Sequence, residues 1–175
     1  GIRAPKVEIG YVNGLRGLKV TKDIRPPHAV VTVPREASLY AFEGMPCPCP
    51  KLCSQRVWDD SAVGMKLALL LIHEHRLGPT SRFAPWISAL PPTNADKPAS
   101  WTPSELAELQ DGGLVGKVEG HRGTCERFFE SLQRNSPTSD LTHEEWAWAM
   151  HTVCSRGILG NMPPWRRGGG GGRGW

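Results

Sequence analysis

The sequence predicts an α+β fold, in which a small antiparallel β-sheet from about 6–42 precedes a mostly helical layer over about 61–157. Three observations support this class. Apolar and polar residues alternate on both sides of Asn13-Gly14, as in a strand–turn–strand unit. Residues 67–72 form an unbroken apolar run within a segment long enough for a buried helix. Two Thr-x-x-Glu patterns, at 102–105 and 142–145, are typical of helix N-termini.

A β-hairpin is predicted around Asn13-Gly14. The alternating apolar residues that flank the turn are Val7, Ile9, Tyr11, Leu18 and Val20. Glycine at positions 14 and 17 permits a positive φ and allows a ligand to approach the main chain closely. Taken alone, this Gly-x-x-Gly pattern indicates only a hairpin turn.

A further strand is predicted over 28–33, where β-branched residues follow the Pro26-Pro27 turn and Pro34 closes the segment. Residues 38–42 are a candidate for one more strand fragment. Together these segments predict a small, twisted sheet in the N-terminal region.

The helices are predicted from caps and periodicity. A buried helix is expected over 62–77, capped by Asp60 or Ser61 and ended by Gly78-Pro79. Its His73-Glu74-His75 end is interpreted as a solvated helix terminus, because adjacent helical residues point in different directions. Residues 81–98 are predicted to be extended. Further helices are expected after Thr102, over 117–134, and from Thr142 to near Gly157.

Three of the five cysteines lie close together in a proline-rich loop, as Cys47-Pro-Cys49 followed by Cys53. Three thiolates at this spacing could ligate zinc if a fourth ligand came from elsewhere. Cys-x-Cys is an uncommon zinc spacing, so the favoured interpretation is loop cysteines without a metal. The odd number of cysteines and the lack of a secretory signal favour a reducing intracellular compartment, chloroplast or cytoplasm, over a disulfide scaffold.

The formal net charge of +4 is modest and the basic residues are dispersed except at the C-terminus, so we expect no nucleic-acid partner. The longest apolar run is too short to cross a bilayer, so we expect no membrane association. Residues 161–175 combine glycine and arginine and are predicted to be a disordered tail. Weak RNA contact through this tail is a distant third hypothesis for the function. The chain begins at Gly1, which indicates a processed product or a fragment.

Five motifs follow one another along 6–160. They are Gly17-Leu18-x-Val20-x-x-Asp23-Ile24 with Val31-x-Val33-Pro34; the helical segment 66–78; Ser81-x-Phe83-x-Pro85-Trp86-Ile87-x-x-Leu90-Pro91; Trp101-x-x-x-Glu105-Leu106-x-x-Leu109-Gln110; and Trp146 with Val153-x-Ser155-Arg156. In this order they resemble the Rubisco large-subunit methyltransferase-like branch of the SET-domain proteins. The resemblance implies a truncated SET fold, with the N-terminal SET half over 6–60 and a helical insert over 61–160.

This resemblance implies a protein-lysine N-methyltransferase that uses S-adenosyl-L-methionine and acts on a non-histone protein. It assigns cofactor binding to Gly14, Leu15 and Arg16, and contact with the substrate lysine to Arg156. The family's first glycine would fall at Leu15, one place after the glycine present here. No metal is implied.

The family's Asn-His pair and catalytic tyrosine are missing from the sequence. None of the four asparagines precedes a histidine, and both tyrosines, Tyr11 and Tyr40, lie in the N-terminal region. We therefore expect an incomplete fragment that binds the cofactor weakly or not at all, with the apolar faces of the helices over 66–77 and 142–156 partly uncovered. The alternative is a non-catalytic, SET-derived protein-interaction module.

Overall fold

The computed structural model describes residues 1–27, 29–93, 96–136 and 139–157. It divides the chain into two compact units, Gly1–Phe42 and a second unit that begins at Glu43. The first unit contains the sheet and the second contains the α-helices. The coarse α+β class is therefore confirmed. The predicted tail over 161–175 lies outside the described residues.

The sheet of the first unit is a two-stranded antiparallel hairpin, built from β1 (Val7–Val12) and β2 (Leu15–Val20). Val7 lies opposite Val20, and Val12 lies opposite Leu15 at the turn. A two-residue connection with positive φ at both positions matches the right-handed twist of the two strands. Asn-Gly supplies it, which confirms the hairpin predicted from the alternation.

The predicted strand over 28–33 is wrong for its described part. Residues 29–33 contain a single bridge, in which Thr32 exchanges two hydrogen bonds with Arg3 at 2.9 and 2.8 Å. The fragment expected over 38–42 is also irregular and follows a 3₁₀ turn at Arg35–Ala37. The valines of 29–33 have strand propensity, but a strand forms only against a continuous partner, and here the partner is one residue long.

The second unit contains six α-helices within the described residues. They are α1 (Gln55–Asp60), α2 (Val63–Arg76), α3 (Ala84–Ile87), α4 (Pro103–Ala107), α5 (Gly112–Asn135) and α6 (His143–Arg156). Short 3₁₀ turns occur at Gly78–Thr80 and Pro98–Ser100. Within the described residues, no helix combines the length and the apolar character that a bilayer-spanning segment needs.

The start of the long buried helix differs from the prediction. Ala62 is the N-cap residue of α2 and makes no side-chain cap. Ser61 instead closes α1, where its hydroxyl donates to the Val57 carbonyl at 2.5 Å. Helix α1 was not predicted, because its N-cap residue, Ser54, directly follows the proline-rich cysteine segment, which was predicted to be a loop.

Two other boundaries also differ. Residues 81–98 are not extended throughout, because α3 interrupts them with Pro85 in its first turn, a position where the missing N–H costs nothing. Helix α5 begins five residues before the predicted start, since the Asp111 carboxylate accepts from the Leu114 N–H at 3.0 Å and caps it. This start was not predicted, because the first turns of α5 are rich in glycine, which has a low helix propensity.

The core of the second unit lies between α2 and α6, which pack together along their length. Both capping boxes are present, at Thr102 and Thr142, as predicted. The apolar residues buried in the two packed helices are Ala68, Leu69, Leu70, Leu71 and Ile72 of α2, and Trp146, Ala149 and Met150 of α6. The apolar faces expected to be partly uncovered are thus largely buried, by α2 and α6 against each other and by α5 against Trp146. Leu77, directly after α2, is exposed.

Candidate functional site

The turn that the resemblance assigns to the cofactor is a tight hairpin turn. Asn13 has φ 51° and Gly14 has φ 78°, so both residues adopt the left-handed conformation. Leu15 and Arg16 follow as the first residues of β2, and both are exposed. Glycine, asparagine and aspartate take this conformation at the lowest cost, which accounts for Asn13-Gly14 without any ligand.

Gly17 lies within β2, opposite Gly10, and not in the turn itself. A Cβ added to Gly17 would meet no atom within 4 Å, whereas one added to Gly10 would touch the Lys19 side chain at 3.4 Å. The main chain at Gly17 is therefore open to an approaching molecule. A flat, bare stretch of strand backbone fits a group that is held through main-chain atoms.

Arg156 is the last residue of α6 and is exposed. Its Nη1 donates to the Ser155 Oγ at 2.8 Å. A cation at this position also interacts favourably with the carbonyl end of the helix. Arg156 belongs to the second unit, whereas Gly14, Leu15 and Arg16 are consecutive in the hairpin of the first unit.

The two tyrosines of the first unit have different surroundings. Tyr11 lies on β1, opposite Arg16. Tyr40 lies beneath the Arg35 guanidinium, 4.2 Å from the ring centroid, and stacks on Phe42 at 6.1 Å. Cation–π contact of this kind explains Tyr40 as a structural residue of the first unit.

A cleft of about 380 Å³ opens between α2, α3 and α6. Its apolar walls come from Ile72, Ile87, Leu90 and Trp148, and the Trp148 indole donates to the Pro91 carbonyl at 3.0 Å. The His75 ring lies 5.0 Å from the Trp148 ring. Its lining also includes the polar residues Ser88, Glu144 and Glu145, so a cleft of this size suits side chains of a short peptide segment. It was not predicted, because its walls come from three separate segments.

The three cysteines of the proline-rich segment meet in the second unit. The Cys47 Sγ lies 3.9 Å from the Cys49 Sγ and 3.6 Å from the Cys53 Sγ. All three sulfur atoms lie within 4.8 Å of one another. None of these cysteines forms a disulfide. The sequence left zinc and metal-free loop cysteines as alternatives, and it is the folded loop that brings the sulfur atoms together.

The surroundings of the three thiols shift their pKa values in different directions. A hydrogen bond with Cys53, together with burial, raises the pKa of the Cys49 thiol. The hydrogen bond from Cys49 lowers the pKa of Cys53, because it stabilises the thiolate. Burial raises the pKa of Cys47. The cluster thus favours one thiolate that accepts hydrogen bonds from its neighbours.

His143 and His121 each make a contact with a polar side chain of α5. The His143 Nε2 lies 2.7 Å from the Glu126 carboxylate, a contact between the start of α6 and α5. The His121 Nε2 lies 3.6 Å from the Cys125 Sγ within one face of α5. Within the described residues, Cys47, Cys49 and Cys53 form the one group of three or more ligand-type side chains close enough to share a metal ion.

No protein-family model matches the chain, and no curated protein matches it.

Proposed function

We propose that the chain carries the cofactor-side hairpin and the helical part of an S-adenosyl-L-methionine-dependent protein-lysine N-methyltransferase that acts on a non-histone protein. The observation that carries the proposal is the order of the five SET-like motifs along 6–160. The first motif includes Gly17, whose main chain is open in the hairpin. The last motif ends at Arg156, which is exposed at the end of α6.

The residues present fit the roles that positioning chemistry requires. S-adenosyl-L-methionine would supply the methyl group. The hairpin main chain from Gly14 to Gly17 would hold the cofactor without side-chain interference, because the Gly17 position is bare. The Arg156 guanidinium would orient the acceptor segment through its donors. Methyl transfer between aligned atoms depends mainly on such positioning.

The test uses the chain fused to a C-terminal SET half that supplies the Asn-His pair and the tyrosine that the resemblance implies. We expect this longer protein to bind S-adenosyl-L-methionine in calorimetry and to transfer a labelled methyl group to lysine. Gly17→Val should abolish cofactor binding, because a branched side chain would block the main chain. The hairpin itself should persist, since valine favours strands and its Cβ meets open space.

Two further variants make the experiment specific. Gly116→Val, at an exposed position of α5 where a Cβ also meets no atom, is the matched control and should bind the cofactor normally. Arg156→Ala should leave cofactor binding intact and reduce methyl transfer strongly. A Gly17→Val protein that binds the cofactor as tightly as the parent would refute the assignment of the hairpin.

The second candidate is a non-catalytic protein-interaction module. The cleft beside Trp148 favours it, because a cleft of about 380 Å³ lined by apolar residues and by Glu144 and Glu145 can accept side chains of a bound peptide. A longer protein that folds but binds no S-adenosyl-L-methionine would favour this candidate over the methyltransferase. Loss of partner binding on Trp148→Ala, with helix content retained, would then support the cleft as the binding surface.

A further inference from the structure

We propose that Cys47, Cys49 and Cys53 bind one Zn²⁺ ion as three thiolate ligands, with water in the fourth position. This site is independent of the proposed methyltransferase function. It rests on the distances between the three sulfur atoms, on the way the backbone holds them, and on their burial. The ion would cross-link the loop from Cys47 to Cys53, which leads directly into α1.

The sulfur separations match a single tetrahedral ion. Zinc–thiolate bonds of about 2.3 Å at tetrahedral angles place neighbouring sulfur atoms about 3.8 Å apart. The observed separations of Cys47 from Cys53 and from Cys49 are 3.6 and 3.9 Å, on either side of that value. A disulfide would require about 2.05 Å. Sulfur ligands on different iron atoms of a cluster would lie farther apart than ligands of one ion.

The backbone holds the three cysteines in place by hydrogen bonds of its own. The Leu52 and Cys53 N–H groups both donate to the Cys49 carbonyl, at 2.9 and 3.2 Å, so the chain turns and brings Cys49 and Cys53 together. The Cys47 N–H donates to the Gln55 Oε1 at 2.8 Å. This bond ties the first cysteine to the first turn of α1.

The rest of the unit anchors this loop on both sides. The Trp58 indole donates to the Met45 carbonyl at 2.6 Å, and Trp58 is buried. The Ser54 N–H donates to the Ser136 Oγ at 3.3 Å, which ties the loop to the end of α5. Leu52 is buried between the two later cysteines. The ligand geometry is thus preorganised, which lowers the cost of ordering the ligands when an ion binds.

The three cysteines differ in burial, which leaves one side of the cluster accessible to an ion. Cys49 and Cys53 are each 1% exposed, whereas Cys47 is only half-buried. An ion can therefore enter past Cys47 and meet two ligands that are shielded from oxidants. Three protein ligands leave one tetrahedral position, which water would fill. Thiolates are soft donors and select zinc or copper(I) over magnesium and calcium.

The first experiment measures metal content and spectrum on the full chain. The protein is purified under reducing conditions, stripped with a chelator and reconstituted with zinc alone. We expect one zinc per chain by mass spectrometry of the metal. Cobalt(II) in place of zinc should give intense thiolate-to-cobalt charge-transfer bands and the visible bands of a tetrahedral site. Saturating zinc should raise the Tm by roughly 5–10 °C.

The second experiment uses ligand variants with a matched control. Cys47→Ser replaces the most exposed ligand, and the metal-free protein should keep its helix content. Its zinc affinity should fall by roughly 100-fold, and the zinc-dependent rise in Tm should disappear at moderate zinc concentrations. Cys154→Ser removes an exposed thiol on α6 and should leave zinc binding unchanged. Cys49→Ser should lower the intensity of the cobalt charge-transfer bands by about one third, because one of the three thiolates is removed.

Each of four outcomes would overturn the zinc site. They are the absence of bound zinc with all thiols reduced, binding of copper(I) but not zinc, a disulfide within the cluster in the protein purified under reducing conditions, and equal zinc affinity of Cys47→Ser and the parent. Because Cys47→Ser leaves the buried residues untouched, loss of folding cannot be mistaken for loss of the site.

Discussion

Arg76 joins the end of α2 to the start of α6 by charged hydrogen bonds. Its Nε and Nη2 donate to the two carboxylate oxygens of Glu145 at 2.9 and 2.7 Å, and its Nη1 donates to Asp140. The bond from Arg76 holds the pKa of Glu145 down to about 2. Paired donors of this geometry are the stronger kind of ion pair, although all of the groups remain partly hydrated.

The contribution of the Arg76–Glu145 pair to stability should depend on pH. Because the folded-state pKa of Glu145 is depressed below its usual 4.5, the contribution is present above pH 4.5 and is lost as the pH falls towards 2. A double-mutant cycle with Arg76→Gln and Glu145→Gln should give a coupling of about 1 kcal/mol at pH 7. Urea unfolding across this pH range measures it.

The pair Arg134–Glu130 supplies the control for this cycle. Its atoms are 3.8 Å apart and both side chains are mostly exposed on α5. Its coupling should be no more than about 0.5 kcal/mol and should vanish in high salt. Equal coupling in the two pairs would show that the bidentate geometry of Arg76 adds nothing.

Lys66 is a buried lysine whose ammonium group makes one long hydrogen bond. Its side chain lies on α2 with the residue only 4% exposed, and its Nζ donates to the Asp59 carbonyl at a long 3.4 Å. The Trp58 ring lies 5.7 Å away. Removing an ammonium group from water is costly unless its hydrogen bonds are good.

We expect Lys66→Met to stabilise the protein by about 1 kcal/mol and to raise the Tm by roughly 2–4 °C. Methionine keeps the volume of the stem and removes the buried charge. Lys66→Ala should lower the Tm, because it leaves a cavity. Lys117→Met, at an exposed position of α5, controls for the loss of a charge. A fall in Tm with Lys66→Met would show that the contacts with Asp59 and Trp58 outweigh desolvation.

At the scale of elements, the capping boxes begin two helices with different surroundings. The Thr142 hydroxyl accepts from the Glu145 N–H at 3.2 Å, and the Glu145 carboxylate accepts from the Thr142 N–H at 3.1 Å. The same box at Thr102 begins α4, which has only five residues. Helix α6 packs against α2 in the core, so its start is coupled to the global fold.

Thr142→Ala should therefore cost about 1 kcal/mol of unfolding free energy, because the first turn of α6 loses its cap. Thr142→Ser keeps the hydroxyl and should cost little. Thr102→Ala should cost less than Thr142→Ala, since fraying of the short α4 leaves the α2–α6 core intact. Urea midpoints at constant m-value provide the comparison. Equal costs for both alanine variants would contradict this ranking.

At the scale of the whole molecule, the buried residues are distributed unevenly between the two units. Among the described residues, Val7 is the only buried apolar residue of the first unit, and the others belong to the second. A hairpin of two strands is marginal in water on its own. The stability of the chain should therefore reside in the second unit.

Residues 43–157 expressed alone should keep the helical circular dichroism and unfold in one cooperative transition. The expected Tm lies within a few degrees of the full chain, because the α2–α6 core is complete within this unit. Residues 1–42 alone should show no cooperative transition. A disordered 43–157 fragment would show that the first unit supplies essential packing.

The hairpin also determines how the chain should behave in solution. Ile9 and Leu18 lie opposite each other and are 65% and 66% exposed, and Val20, two residues after Leu18 on the same face, is 58% exposed. Exposed apolar residues that are adjacent form a patch that drives association.

We expect the full chain to self-associate or to bind a hydrophobic dye, measured by light scattering and dye fluorescence. The double substitution Ile9→Thr and Leu18→Thr should reduce both signals, since threonine retains strand propensity while removing apolar surface. Val63→Thr and Leu114→Thr, at exposed positions of the second unit, serve as controls and should change little. A monomeric, dye-silent parent would contradict the expectation.

The sequence by itself determined the features that depend on neighbouring residues. Asn13-Gly14 was sufficient to predict the hairpin, because few other residue pairs adopt positive φ twice. The boxes at Thr102 and Thr142 predicted two helix starts, because both partners of each cap lie three residues apart. The buried helix α2 followed from its apolar run.

Only the tertiary structure decided the features that depend on residues distant in sequence or on the availability of a partner. It left residues 29–33 without a continuous partner strand, so their β-propensity produced a single bridge. It joined Arg76 to Glu145 across the α2–α6 interface. It also brought Cys47 within 3.6 Å of Cys53, because the turn at Cys49 and the anchoring of Trp58 fold the loop back on itself. Spacing along the chain limits which atoms can meet, but packing and hydrogen bonding by the rest of the unit determine which of them do.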